Sequence, residues 1–149
     1  MAFRHVLLGN VLVNCWSDTA DVGEVDQAFQ AARRAYSEVG KISNIAVMAP
    51  SMKFPTLASI DRMRKDREQM ISFHRSVHHL LLFTGSGAVR AMTLIASTLM
   101  EGTRGIMHIN KTAKEAIESA KTYGPLNVEE ERIYQQLKLY GVPDERLGR

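Results

Sequence analysis

Residues 77–100, VHHLLLFTGSGAVRAMTLIASTLM, decide the fold. An apolar run from Val77 to Phe83 meets the turn residues 84–87, and a long, uncharged helical pattern follows. A short, continuous apolar run is typical of a strand that is covered on both faces. We therefore expect a buried strand that feeds a buried helix over 88–100, inside an α/β domain.

Length and composition favour a compact domain in a reducing compartment. A chain of 149 residues can bury about 68–70% of its unfolded surface without disulfides or structural metal ions. The single cysteine, Cys15, excludes an intramolecular disulfide and a cysteine-rich zinc site. Apolar runs stay well short of the roughly 18 residues of a membrane span, and the first one breaks at Gly9-Asn10. We expect a cytoplasmic protein with no membrane insertion.

The basic residues do not form a nucleic-acid stripe, although the formal net charge is +3. Those between 62 and 67 are interleaved with Asp61, Asp66 and Glu68. Mixed signs of this kind are typical of a solvated helix face, so no nucleic-acid partner is expected.

The N-terminal half predicts two strands, a helix and a third strand. Phe3–Leu8 and Val11–Trp16 flank Gly9-Asn10, which suits a tight hairpin, although one longer bent strand is an alternative. Asp21 and Glu24 have the spacing of a capping box and start a helix that ends at Gly40. Its apolar stripe contains Val22, Val25, Phe29, Ala32, Tyr36 and Val39. The segment 42–48 is the next strand.

A second helix is predicted to start at Pro55 and to carry a stripe with a cation in it. The apolar members of the stripe are Leu57, Ile60, Met63, Met70 and Ile71. Arg67 falls near the middle of this stripe, with His74 close beside it. Either Arg67 snorkels to water along its alkyl stem, or the helix presents both residues in a partly apolar binding surface.

After the central unit, the pattern predicts a short strand and two helices. The strand spans 106–109, Asn110 caps the first helix, and Gly124-Pro125 forms a linker to a helix with the acidic start 129–131. We expect an α/β domain over 1–122, a helical extension over 123–149, and a mobile tail from Pro143.

The residues do not form a recognisable catalytic or metal-binding constellation. His78 and His79 are adjacent in a strand, so they point to opposite faces and cannot chelate one metal together. The turn after the strand could hold an anion at a helix N-terminus, although a capped strand-to-helix turn explains the same residues. The candidate anion-binding residues are Gly85, Ser86, Gly87 and Arg90. We expect a non-enzymatic protein without a cofactor or a metal.

The helix over 88–100 has an unusually uncharged outer side. A helix that is apolar all round is usually buried or engaged with another chain. The residues of this candidate oligomer face are Thr93, Leu94, Ser97 and Met100. They predict a homodimer or larger homo-oligomer.

The order of segments resembles a STAS domain, the SpoIIAA-like fold of bacterial anti-sigma-factor antagonists and of sulfate-transporter cytoplasmic domains. The stretches that carry the resemblance, over about residues 3–122, are Val11–Ser17, Ile45–Met48, Leu80–Phe83 before Ala88-Val89-Arg90, and Ile106–Asn110 before Lys114-Glu115-Ala116-Ile117. The resemblance implies a mixed, mainly parallel sheet of four to five strands with helices packed on it. The extra C-terminal helix lies outside it.

The resemblance also implies a regulatory role in binding a protein partner, through the loop over 49–55 and the helix that follows. In anti-sigma antagonists this loop is phosphorylated in an Asp-Ser-Ser/Thr-Gly motif, whereas here Ser51 lacks both the preceding Asp and the following Gly. The residues predicted to bind the partner are Ser51, Lys53, Phe54, Arg64, Arg67 and His74. A small-molecule or lipid ligand is the alternative, because Met48, Met52, Met63 and Met70 could line an apolar cleft.

Overall fold

The computed structural model describes residues 3–16, 21–49, 56–82 and 105–149. The predicted helix over 88–100 and the turn before it lie outside these ranges. The strands are β1 (Arg4–Leu8), β2 (Val11–Trp16), β3 (Ile42–Met48), β4 (His74–Leu81) and β5 (Met107–Asn110). The helices are α1 (Val22–Val39), α2 (Leu57–Lys65), α3 (Arg67–Phe73), α4 (Ala113–Lys121) and α5 (Glu130–Leu139), followed by a 3-10 turn over Asp144–Arg146.

The five strands form one sheet in the order β1-β2-β3-β4-β5. Strands β1 and β2 pair antiparallel, and every later pair is parallel. The α/β class and the mixed, mainly parallel sheet are therefore confirmed. The turn at Gly9-Asn10 is a hairpin rather than a bend in one long strand. Strands β1 and β2 pair antiparallel, from Leu8 opposite Val11 to Arg4 opposite Cys15.

The two faces of the sheet are covered by different helices. Helices α1 and α3 pack over one face, where Leu12 of β2 and Ile42 of β3 join the alanines of α1. Helices α4 and α5 cover the other face, where Ile117 and Leu137 pack with Leu80 of β4. The predicted C-terminal extension therefore contributes to the same hydrophobic core as the central strands.

Helix α1 begins where its sequence predicts, but its buried stripe is shorter than the predicted apolar stripe. The carboxylate of Asp21 accepts a hydrogen bond from the backbone N–H of Glu24 at 2.9 Å, and the helix ends before Gly40. The last two members of the predicted apolar stripe, Tyr36 and Val39, are not buried: they are 41% and 44% exposed. Tyr36 instead keeps a contact at the edge of the helix, with its ring centroid 5.3 Å from that of Phe73 in α3.

The prediction of one helix from Pro55 is wrong, because this segment forms two helices, α2 and α3, separated at Asp66. Asp66 leaves the helical conformation, with φ −88° and ψ 2°, and its carboxylate accepts a hydrogen bond from Arg62 at 2.9 Å. Leu57, an expected stripe member, is 81% exposed. His74 is the first residue of β4 rather than a helical residue, because its backbone pairs with Ile42.

The C-terminal segment also differs from its prediction. Thr112, not Asn110, caps α4, since its hydroxyl accepts from the N–H of Glu115 at 3.2 Å while Asn110 belongs to β5. The expected mobile tail is anchored: Leu147 is buried, and Arg146 donates to the carbonyl oxygens of Lys111 and Leu81.

Candidate functional site

A cavity of about 120 Å³ lies between the sheet and helices α1–α3. Its surface is predominantly apolar. The apolar lining residues include Val25, Ala28 and Phe29 from α1, Met63 from α2, Met70 and Ile71 from α3, and Val77 and Met107 from the sheet. Two of the methionines that the sequence proposed for a cleft, Met63 and Met70, thus line the same cavity.

The floor of the cavity is a row of residues across three neighbouring strands. Asn14 of β2 pairs with Ala46 of β3, and Ala46 pairs with His79 of β4. All three residues line the cavity. Because Ala46 carries only a methyl group, the space between the two polar side chains stays open.

A relay of hydrogen bonds runs from the end of α3 into this floor. The ring nitrogen Nδ1 of His74 lies 2.6 Å from the carbonyl oxygen of Met70, and its Nε2 lies 3.4 Å from Nδ2 of Asn44. The Oδ1 atom of Asn44 accepts from Nδ2 of Asn14 at 2.6 Å. A backbone carbonyl can only accept, so Nδ1 of His74 carries the proton and Nε2 accepts from Asn44. This polarity fixes both amide orientations and leaves Asn14 Oδ1 as the terminal acceptor.

Three buried polar atoms at the floor have no hydrogen-bond partner within the described part of the chain. They are Oδ1 of Asn14 and both ring nitrogens of His79. Burial, with a smaller contribution from nearby His74, lowers the pKa of His79 to about 4. The imidazole is therefore neutral at pH 7 and offers one N–H donor and one acceptor. Burial likewise lowers the pKa of His74.

Charged residues occur where α2 meets α3. Asp66 and Arg67 both line the cavity. Arg62 holds this junction against α1, since its guanidinium lies 2.9 Å from the carboxylates of both Asp26 and Asp66. These ion pairs link the helix junction to α1, while the floor beneath it carries neutral groups.

A second polar cluster lies on the opposite face of the sheet. Nε2 of His78 is 2.8 Å from the hydroxyl of Ser76, and its Nδ1 is 3.3 Å from Oδ1 of Asn110. A hydroxyl, an imidazole and a side-chain carbonyl joined in this way resemble a catalytic triad, with Asn110 in the place of the usual acid. Ser76 is 0% exposed and also contacts the hydroxyl of Ser43 at 3.1 Å, so its oxygen is closed to a substrate in this conformation. Burial and neighbouring His108 lower the pKa of His78 to about 4, which disfavours a general base at neutral pH.

The structure brings two of the predicted partner-binding residues together and separates a third. Arg67 and His74 line the cavity. Arg64 is exposed on α2, with its guanidinium 3.8 Å from Asp61. The remaining predicted residues lie outside the described residues: Ser51, Lys53 and Phe54, the anion-binding candidates Gly85, Ser86, Gly87 and Arg90, and the oligomer face Thr93, Leu94, Ser97 and Met100.

Sequence reasoning missed Asn14, Asn44 and His79 as site residues. A signal was present, because Asn14 interrupts the otherwise apolar strand Val11–Trp16, and Asn44 follows Ser43 in the strand Ile42–Met48, whose other residues are apolar. A polar residue inside a buried strand must find a hydrogen-bond partner. Both asparagines are buried.

Two classes of feature do not occur in the described ranges. Across 3–16, 21–49, 56–82 and 105–149, no three His, Cys, Asp or Glu side chains are grouped to hold a metal ion. None of the helices in the same ranges is long and apolar enough to cross a bilayer.

Comparison with protein-family models, with curated proteins and with solved structures found no match to this chain.

Proposed function

We propose that this chain is a binding domain that takes a small, mostly apolar molecule into the cavity between the sheet and helices α1–α3. The observation that carries the proposal is that polar atoms of Asn14 and His79, on a predominantly apolar surface, have no hydrogen-bond partner among the described residues. Buried polar groups in proteins are almost always hydrogen-bonded, and each bond left unmade costs about 1–3 kcal/mol. A bound molecule with a polar group would supply the missing partner.

The size of the cavity limits the ligand to about one ring. An engineered apolar cavity of roughly 150 Å³ holds benzene, and this cavity measures about 120 Å³. Small-molecule sites generally combine an apolar lining with a few convergent polar groups. This cavity has an apolar lining and convergent polar groups, so ligand binding explains it better than a packing defect in the core does.

Thermal unfolding with and without ring-sized probes tests this function. Toluene, anisole and phenol, added separately over a concentration series, are expected to raise Tm, because a ligand that binds only the folded state stabilises it. The substitution Ala28→Leu places a larger side chain at the α1 wall of the cavity and is expected to abolish the rise.

Ala58→Leu is the matched control, because it makes the same change on a helix at an exposed position. It should leave the probe-dependent rise intact. Unchanged Tm values with all three probes in the wild-type protein would contradict the proposed function, as would an equal rise in the Ala28→Leu variant.

We also propose that the chain is a STAS-like domain. This proposal is supported by the order of its described elements, β1-β2-α1-β3-α2-α3-β4, and by the parallel pairing that follows one antiparallel hairpin. A regulatory role through a protein partner stays a prediction, as does self-association. We favour ligand binding because Asn14, His74 and His79 lie around one predominantly apolar cavity.

A further inference from the structure

We propose that the ligand of this cavity is a neutral, single-ring molecule with one hydroxyl group, of the phenol class, and that Asn14 and His79 bind the hydroxyl. This inference rests on the proposed binding function and names its ligand class. The hydroxyl would donate to Oδ1 of Asn14 and accept from the ring N–H of His79.

The donor is required by the direction of the relay. Because the carbonyl of Met70 can only accept, His74, Asn44 and Asn14 each donate toward it, at 2.6, 3.4 and 2.6 Å respectively. The relay therefore ends in an acceptor, Oδ1 of Asn14, that faces no described donor. A ligand that only accepts hydrogen bonds, such as an ether or a carboxylate, leaves this oxygen unsatisfied.

The neutral state of His79 requires a group that can also accept. A neutral imidazole offers one donor and one acceptor, and both nitrogens of His79 are buried without a partner in the described chain. The N–H of His79 needs an acceptor, which the hydroxyl oxygen supplies while its single proton goes to Asn14. A hydroxyl is the smallest group that donates and accepts at once. A charged group on the ligand is disfavoured at the floor, because Asn14, Ala46 and His79 offer it no opposite charge and burying an unpaired charge is costly. The charged lining residues, Asp66 and Arg67, belong to the junction of α2 and α3.

The register of the sheet places the two side chains on either side of one position, Ala46. Asn14 and His79 are separated by one strand, so their backbones are about 9.6 Å apart, twice the distance between neighbouring strands. A ligand oxygen above the methyl group of Ala46 would lie between the two side chains, and each hydrogen bond to it would span about 2.8 Å. The apolar wall formed by Phe29, Met63 and Met70 then faces the ring.

A comparison of phenol, anisole and toluene on the wild-type protein tests this inference. The three differ in whether the substituent donates and accepts, only accepts, or does neither. Dissociation constants are measured by NMR titration, from the amide shifts of Asn14, Ala46 and His79. Phenol is expected to bind at least about tenfold more tightly than toluene, since it satisfies polar groups that toluene leaves buried and unpaired. Anisole is expected to be weaker than phenol, because it cannot donate to Asn14.

The outcomes separate this inference from the function on which it rests. Toluene or anisole binding as tightly as phenol overturns the hydroxyl assignment and leaves the binding function standing. If none of the three shifts these amides, the binding function falls and the ligand class falls with it.

His79→Phe supplies a second, independent reading. It keeps a flat ring in the floor and removes both nitrogens, so the preference for phenol over toluene should shrink to within about threefold. An undiminished preference would show that His79 does not bind the hydroxyl. Should this variant not fold, the wild-type ligand series decides the question without it.

Discussion

Gly9 and Asn10 turn the chain and also hold a distant loop. The side chain of Asn10 donates to the carbonyl of Pro125 at 3.0 Å and accepts from the N–H of Asn127 at 2.8 Å. Gly9 has a φ of +59°, and a Cβ built there would lie 2.2 Å from the carbonyl oxygen of Asn127. The glycine is therefore needed twice, once for the turn and once for the close approach of another backbone.

Gly9→Ala should cost more stability than an alanine at another positive-φ glycine. Gly141 is the matched control, because its φ is +91° and a Cβ there meets nothing within 4 Å. Gly141→Ala should lose about 1–2 kcal/mol for the left-handed backbone alone. Gly9→Ala should lose about 1–3 kcal/mol more, since the Asn127 backbone must shift. Urea unfolding measures both, and equal losses would contradict the close approach.

At the scale of the element, β4 carries neutral imidazoles on both faces of the sheet. His78 and His79 face opposite sides, as their adjacency predicts, and burial lowers the pKa of each to about 4. His74 begins the same strand with its pKa lowered by burial. All three histidines of β4 are therefore favoured in their neutral form.

Stability should therefore fall on acidification. In the unfolded chain these histidines protonate near pH 6.5, whereas the folded state resists protonation down to about pH 4. Between these values the unfolded state binds more protons, so its free energy falls relative to that of the folded state as pH drops. The contribution of the two neutral histidines to stability is fully present above about pH 6.5. Below that pH, protonation of each of His78 and His79 in the unfolded chain lowers the free energy of unfolding by up to about 1.4 kcal/mol per pH unit.

Urea midpoints at pH 7.5, 6.0 and 5.0 measure this slope. His79→Phe should flatten it, while His5→Gln, at an exposed position on β1, should change it less. Parallel slopes in the wild-type protein and in His79→Phe would contradict the neutral, buried state of His79.

At the scale of the whole molecule, the C-terminal helix is part of the central core. Ile133 and Leu137 of α5 are fully buried in the same cluster as Val13 of β2 and Leu80 of β4. Arg75 of β4 donates to the carbonyl of Pro125 at 3.2 Å, so the linker before α5 is held at both the hairpin and the strand. We expect residues 1–122 and 123–149 to unfold together.

Leu137→Ala should destabilise the entire chain by about 2–5 kcal/mol, the usual cost of a large buried side chain. Leu139→Ala is the control two residues away, and it should stay within about 0.5 kcal/mol because Leu139 is 73% exposed. Both are measured by urea unfolding followed through Trp16 and by circular dichroism. Two separate transitions, or a loss below about 1 kcal/mol in Leu137→Ala, would support an independent C-terminal unit.

The sequence by itself determined what depends on near neighbours. Local conformational preference or strand periodicity predicts the capped start of α1 at Asp21, its end at Gly40 and the opposite faces of His78 and His79. At Gly9-Asn10 the sequence left a hairpin and one bent strand open, and the pairing of β1 with β2 decided for the hairpin. The sequence did not predict the break between α2 and α3 at Asp66. The apolar residues before and after Asp66 keep one helical spacing, which predicts a single helix.

Only the tertiary structure decided the candidate site. Asn14, Ala46 and His79 become neighbours through the register of two parallel strand pairs, and no local pattern specifies which residues of separate strands lie side by side. The direction of the relay from Asn14 to Met70 likewise depends on where α3 ends above the sheet. The sequence therefore predicts most of the described helices and strands, whereas the cavity, with polar atoms that lack a partner in the described chain, arises from contacts between residues far apart in the sequence.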